Sequence, residues 1–200
     1  DRKATHYVTL RFKIDSDISV NNAMLAVEDV EEIKLNNKQV PLEFCGYYVD
    51  EDIKTVVLPE ICKGRNVLEV KVPFGKCNSL EWCYLLGEFN VTVEGSDKRI
   101  VAGSDKIGFD DVSRQGLAFY GGNIIYETDV VTPQGDMEIQ VNHYRGAMIR
   151  VMVDGKDCGV IAYAPYKLMV KDISKGNHTV TLKLYGNRAN TFGALHDAEP

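Results

Sequence analysis

The 200-residue sequence predicts an all-β protein made of two tandem antiparallel β-sandwich domains, residues 1–98 and residues 99–200. Three observations carry that expectation. Apolar and polar residues alternate with a period of two through much of the chain. Turn-forming pairs separate the alternating runs at short intervals. The order of runs and turns in the first half recurs in the second. Many short strands at regular spacing favour a sandwich over an α/β fold, and no long segment shows helical periodicity.

The first alternating run is Tyr7 to Ile14, with Val8, Leu10, Phe12 and Ile14 on one face and Thr9, Arg11 and Lys13 on the other. That is the pattern of a half-buried strand. Shorter strands are expected at Met24–Val27, Ile33–Leu35 and Lys54–Leu58. Val67 to Val72 alternates again, and Leu80 to Phe89 reads as a strand with a bulge at Gly87. In the second half strands are expected at Asn123–Asp129, Glu138–Val141, Ala147–Val153 and Leu168–Val170, and Thr179 to Leu184 closes the series. Turns fall at Asn36-Asn37, Lys63-Gly64, Pro133-Gln134-Gly135, Asp154-Gly155 and Lys175-Gly176-Asn177. Asp154-Gly155 between two apolar runs is a type I′ hairpin signal, because both central positions need positive φ. Leu10, Phe12, Val70 and Val72 are expected in the first core. Tyr126, Ile149, Val151, Val180 and Leu182 are expected in the second.

The repeat sets the domain count. A strand, a two-residue polar turn, a Lys-Gly turn and the most regular strand of the half occur in that order twice. Asn36 to Asp154 is 118 positions and Lys63 to Lys175 is 112. A period this long means tandem domains rather than a solenoid. Gly-Ser-Asp-Lys occurs at Gly95 and again at Gly103, which makes Glu94 to Lys106 the expected boundary region. Each half is large enough for one small core.

Composition narrows the function classes. The chain is 44% hydrophobic and 26% charged with a net charge of -6, as in an ordinary globular protein. Lys and Arg are scattered without a run or stripe, so neither nucleic acid nor a membrane is expected as a partner. No apolar run is long enough to span a bilayer, and no signal peptide is visible. The start at Asp1, without Met and close to a strand, reads as a piece of something longer, and the compartment stays open.

The five cysteines, Cys45, Cys62, Cys77, Cys83 and Cys158, are an odd number without a CxxC pair. They read as buried reduced thiols, with one disulfide as the competing reading. No zinc pattern is present, and no cofactor is expected. Asp15-Ser16-Asp17 and Asp50-Glu51-Asp52 offer oxygen ligands for a structural Ca²⁺ but lack EF-hand spacing; turn acids with Asx-type hydrogen bonds are the competing reading.

Catalytic signatures are missing. Gly-x-Ser-x-Gly, the P-loop and His-Glu-x-x-His do not occur. Cys158 has no His near it in sequence to activate it. Acidic residues are plentiful, among them Glu28, Asp50, Glu81, Glu88, Asp110 and Asp111, but none sits in a recognisable catalytic context. No catalytic residue is assigned.

Several segments together resemble a known family. They are Leu35-Asn36-Asn37-Lys38, Lys63-Gly64-Arg65-Asn66-Val67-Leu68, Val153-Asp154-Gly155-Lys156 and Lys175-Gly176-Asn177-His178. To these are added Gln115 to Tyr126, which reads Gly-x-x-x-Tyr-x-Gly-x-x-x-Tyr, the stretch Leu80 to Phe89, and the ending Leu184 to His196. The pattern resembles the galactose-binding-like jelly-roll modules of bacterial glycoside hydrolase family 2 and rhamnosidase-like proteins, over nearly the whole chain. The resemblance implies a non-catalytic accessory region of a larger glycoside hydrolase. Its catalytic residues would sit on a separate barrel of about 250 residues, and that catalytic domain of the same parent chain is the implied partner.

A carbohydrate is the second candidate partner. Sugar binding needs flat aromatic faces with polar tips and planar polar groups beside them. The second half supplies both, and the candidate carbohydrate-binding residues are Tyr144, Arg145, Tyr166, Arg188 and His196. Exposed aromatics and arginines also mark protein interfaces. The same set therefore reads alternatively as an interdomain or adhesin-like contact, or as plain structure.

Overall fold

A computed structural model of the chain describes residues 4–76, 78, 80–104, 106–186 and 191. Regular structure in these residues is almost entirely β-strand, in sheets that are antiparallel but for one strand pair. The chain divides into two compact units, Asp1–Ala118 and Phe119–Pro200.

The first unit contains β1 (His6–Ser16), β2 (Met24–Val27), β3 (Glu32–Leu35), β4 (Lys38–Val40), β5 (Phe44–Tyr48), β6 (Asp50–Val57), β7 (Gly64–Phe74), β8 (Tyr84–Leu86), β9 (Asn90–Glu94) and β10 (Asp97–Val101). A six-stranded sheet runs β4-β3-β7-β1-β10-β9, and a four-stranded sheet runs β5-β6-β2-β8. Leu25, Val27 and Val56 of the smaller sheet share one buried cluster with Ile33, Leu35, Leu68, Val70 and Ile100 of the larger. The two sheets therefore face each other across a single apolar core, and the alternation in β1 and β7 is the sequence trace of that one-sided burial.

Three expectations need correction here. Phe12 shares a strand face with Leu10 but is 37% exposed and lies outside the core cluster. Alternation fixes which face a side chain takes, not whether the opposite sheet reaches it. Of Leu80 to Phe89 only Tyr84–Leu86 forms a strand, where it pairs with β2. Gly87 is not a bulge: a Cβ there would come within 2.7 Å of the Phe89 ring, so its bare backbone makes room for that ring against the core. The boundary expected at residues 98 and 99 falls inside β10. Asp15 and Ser16 of β1 pair in parallel with Arg99 and Ile100, and the Gly-Ser pair at Gly95 closes the β9–β10 hairpin rather than opening a linker. The unit continues through a 3-10 turn, Val112–Gln115, after which the Gly116 carbonyl accepts from the Val91 N–H at 2.7 Å.

The second unit contains β11 (Ile124–Thr132), β12 (Gly135–Gln140), β13 (Met148–Val153), β14 (Lys156–Ile161), β15 (Lys167–Ile173) and β16 (Gly176–Tyr185). A four-stranded sheet runs β11-β16-β13-β14, beside a two-stranded β12-β15 sheet. Ile149, Val151, Val153, Ile161, Val170 and Val180 are buried, and Leu182 packs on them half-buried. Tyr126 is half-buried and its hydroxyl pKa is pushed up by desolvation. Asp154 and Gly155 have φ of 51° and 76°, the positive values their hairpin requires.

The sheet orders of the units correspond. β4-β3-β7-β1 in the first matches β14-β13-β16-β11 in the second, and the β2–β6 pair matches β12–β15. The hairpin turns are anchored alike. Asn36 N–H donates to Val67 O at 2.8 Å, and Val67 N–H donates to Asn36 Oδ1 at 2.9 Å. Asp154 N–H donates to Thr179 O, and Thr179 N–H donates to Asp154 Oδ1, both at 2.9 Å.

Candidate functional site

Two loops of the second unit bring Tyr144 and Tyr166 together. One, residues 141–147, joins β12 to β13; the other, residues 162–166, joins β14 to β15. They are tied by the Val141 N–H, which donates to Tyr166 O at 2.9 Å. The rings meet edge to face, with centroids 5.7 Å apart at 86°, a favoured arrangement for two quadrupoles.

Tyr144 is the half-buried partner on the core side. Its ring packs against the cluster of Ile149, Val151 and Ile161. Its hydroxyl has two backbone acceptors, Ile161 O at 3.2 Å and Ala162 O at 3.4 Å. The polar tip that sequence reasoning assigned to a sugar is engaged by the protein's own backbone. Tyr144 braces the turn that carries Tyr166 from the core side.

Tyr166 is 39% exposed and has φ of +56°. Its N–H donates to Tyr163 O at 2.9 Å, closing a tight turn around a cis Ala164-Pro165 bond. Tyr163 at the tip of this turn is 86% exposed, and Arg145 is exposed beside Tyr144. Tyr163, which the candidate set omitted, is the more accessible ring; its signal was the Tyr-Ala-Pro-Tyr spacing. Gly146 lets this loop approach β16: a Cβ there would lie 2.7 Å from both Tyr185 O and Leu184 Cδ1. The structure thus brings Tyr144 to Tyr166, with Arg145 adjacent in the chain. Arg188 and His196 lie outside the described residues.

A second constellation was not foreseen. On the four-stranded sheet of the first unit, Tyr48 and Tyr84 pack at 5.3 Å. Trp82, two residues before Tyr84, is 74% exposed. The Glu28 carboxyl that follows β2 has its pKa pushed up, first by partial burial and then by the charges of Glu81, Asp29, Asp52 and Asp50. Sequence spacing hid this grouping, because it joins residues from three separate segments.

Several other ionisable groups are held in ion pairs or turns. Asp15 pairs with Arg65 at 3.0 Å, and Asp17 with Arg99 at 3.0 Å, so both carboxylates of Asp15-Ser16-Asp17 face arginine. Asp50 Oδ1 accepts from Asp52 N–H at 3.0 Å, the Asx-type bond. No group of three or more metal-binding side chains gathers among the described residues. Cys45, Cys62, Cys83 and Cys158 carry free thiols. Cys45 and Cys62 are exposed, against the expectation of burial, because Cys45 lies on the edge strand β5 and Cys62 in the loop that leads into β7. Cys83 is half-buried and desolvation pushes its thiol pKa up. Cys77 lies outside the described residues.

These features define an all-β protein with a tyrosine-lined loop pair in its second unit. No family model matches the chain, and no curated protein matches it. Among solved structures it is similar to a rhamnosidase from Novosphingobium sp. PP1Y, at 15% identity and a TM-score of 0.33, over 95% of this chain and 19% of that one. The chain spans about a fifth of that enzyme's length, and a likeness this distant does not bear on what the chain does.

Proposed function

We propose that the chain is a non-catalytic accessory region of a larger bacterial glycoside hydrolase, that its two units are copies of one jelly-roll-like sandwich plan, and that the second unit offers Tyr163 and Tyr166 to carbohydrate. The observation that carries the binding site is the exposure of these two rings on a turn braced from beneath by Tyr144. Rigid aromatic faces stack on the C–H faces of sugars at little entropic cost. Arg145 is the neighbouring fork of hydrogen-bond donors for hydroxyl groups. The matching sheet orders support the two-copy reading, and the family resemblance of the turn segments supports the glycoside hydrolase context.

A glycan array on the intact chain tests the proposal, with an assay of aryl-glycoside hydrolysis beside it. Saturable binding without hydrolysis is expected. Hydrolysis by the chain alone would overturn the accessory reading and direct attention to Glu28 and Glu81, since a carboxyl of raised pKa beside a carboxylate is the pairing that glycoside hydrolysis uses.

The alternative is an interaction module without sugar binding, docking on the catalytic domain or on another protein. Trp82 favours it, because a tryptophan so exposed is of the residue type that anchors protein interfaces.

A further inference from the structure

The second unit holds an imidazole with acceptors on both ring nitrogens. His178 Nδ1 lies 2.6 Å from Asp154 Oδ2, and Nε2 lies 2.9 Å from Ser174 O. The ring is only 10% exposed. A carboxylate and a carbonyl can only accept, whereas a neutral imidazole donates through one nitrogen alone. Both bonds are made only by the imidazolium. The Ser174 hydroxyl, 3.4 Å from Nε2, is the donor left to a neutral ring, and engaging it means giving up the shorter bond to the Ser174 carbonyl.

The first unit supplies the control. At the corresponding position stands Asn66, fully buried. Its Nδ2 donates to Cys62 O at 2.7 Å, and its Oδ1 accepts from Asn36 Nδ2 at 2.8 Å. Cys62 to Ser174 is 112 positions, as is Asn66 to His178, and Asn36 corresponds to Asp154 by the shared turn anchoring. One residue in each unit thus ties a hairpin turn to the turn that precedes a long strand of the same sheet, β7 or β16. An amide does this without a titrating proton; an imidazole beside a carboxylate does not.

We propose that His178 and Asp154 form a proton-operated clasp that fastens the β13–β14 turn to the β15–β16 turn, where the first unit has a pH-independent clasp made of Asn36 and Asn66.

The groups facing the ring can be named by element. Asp154 comes from the β13–β14 turn, and the Ser174 carbonyl and hydroxyl come from the β15–β16 turn. From β11, Val130 lies opposite His178 in register, and the Thr132 hydroxyl shares the Ser174 carbonyl at 3.1 Å. Asp154 is the charged member of this set. On β11 the Asp129 carboxylate accepts from Thr179 Oγ1 at 2.8 Å, and Lys156 and Lys175 flank the two turns, exposed.

The direction follows from linkage. The hydrogen bond to Asp154, then that to Ser174, raises the His178 pKa above its ordinary value. A group held above its unfolded pKa contributes stability that is fully present below the unfolded value and lost as pH rises through the folded one. Asp154, held below its ordinary value by His178 and by Thr179 N–H, sets the acid limit. The clasp lies at the end of the sandwich opposite the tyrosine loops, by the antiparallel order of the strands. Its failure would leave the sugar reading intact, and the reverse also holds.

The test is amide hydrogen exchange on the full chain from about pH 6 to about pH 9, corrected for intrinsic rates, with an NMR titration of the His178 ring. Protection of Thr179 N–H should fall relative to that of Val67 N–H, by up to about tenfold per pH unit between the ordinary and raised histidine values. The double variant Asp154→Asn with His178→Asn, which copies the first unit, should flatten the Thr179 curve. Parallel curves for Thr179 and Val67 in the unmodified chain, or a His178 ring titrating at or below about 6.5, would overturn the proposal without recourse to any variant.

Discussion

Asn66 accepts a hydrogen bond from the Asn36 amide at 2.8 Å while donating to the Cys62 carbonyl at 2.7 Å. Its side chain is fully buried and also reaches the Gly64 carbonyl, at 3.2 Å. Replacing it takes their shared partner from the Asn36 amide and from the Cys62 and Gly64 carbonyls at once. Asn66→Ala is expected to destabilise the first unit by about 1–3 kcal/mol, read from a urea transition followed on β7 amide signals. An unchanged transition would remove this contact from the account of how the β3–β4 turn is held.

The core of the second unit is small, so each large side chain in it matters. Ile161 is 1% exposed and packs with Ile149 and Val151. Ile161→Ala should cost about 2–5 kcal/mol through lost burial and the cavity left behind. Thermal unfolding followed on β13 and β16 signals checks this.

Tyr144→Phe separates bracing from binding. The variant keeps the ring on the core and its edge-to-face contact with Tyr166, but loses the bonds to Ile161 O and Ala162 O. It is expected to lower stability by about 1 kcal/mol and to leave carbohydrate binding in place. Loss of binding with unchanged stability would put the Tyr144 hydroxyl in the site after all.

Acid should weaken the fold in a defined direction. Arg65 holds Asp15 below the usual carboxylate range, Lys34 holds Glu32, and Lys171 with Asp172 N–H holds Asp136. Gly159 N–H and Arg150 do the same for Asp157. Carboxylates with depressed folded values contribute stability that is present above their unfolded pKa and lost as pH falls through the folded one. Stability should therefore decline below about pH 4, and salt should blunt the decline because these pairs are exposed. Urea midpoints measured across that range, with and without salt, report both effects.

Thiol chemistry should rank the cysteines. Cys45 and Cys62 are exposed, while Cys83 is half-buried with its pKa pushed up by desolvation. Alkylation near neutral pH should label the first two well before Cys83, because the thiolate is the reacting form. Peptide mapping of a timed reaction gives the order.

How far the sequence disclosed this fold depends on where each strand meets water. β1, β7 and β16 are solvated on one face, so their alternation marks them plainly. β14 does not alternate cleanly, because Gly159 takes φ of +123° and the register slips between Val151 and Met152. β5 is mostly exposed, and Gly46 interrupts it, so it carries little apolar signal. β9 and β10 stayed hidden because a Gly-Ser turn inside a hairpin has the composition of a linker. In the candidate site, Tyr144 and Tyr166 were legible as aromatics on two loops. The use of the Tyr144 hydroxyl on backbone carbonyls was not, since it depends on where β14 ends. His178 carried a readable signal: aligning the two Lys-Gly turns sets it opposite Asn66, but nothing local to either residue shows what each one bonds.

The most direct measurement is calorimetric titration of the intact chain with a carbohydrate panel, repeated on Tyr166→Ala. The account predicts saturable binding of at least one sugar by the unmodified chain, weakened about tenfold or more in the variant, a change equal to about 1.4 kcal/mol. No binding at millimolar sugar, or equal affinity in chain and variant, would contradict a carbohydrate site at the tyrosine loops.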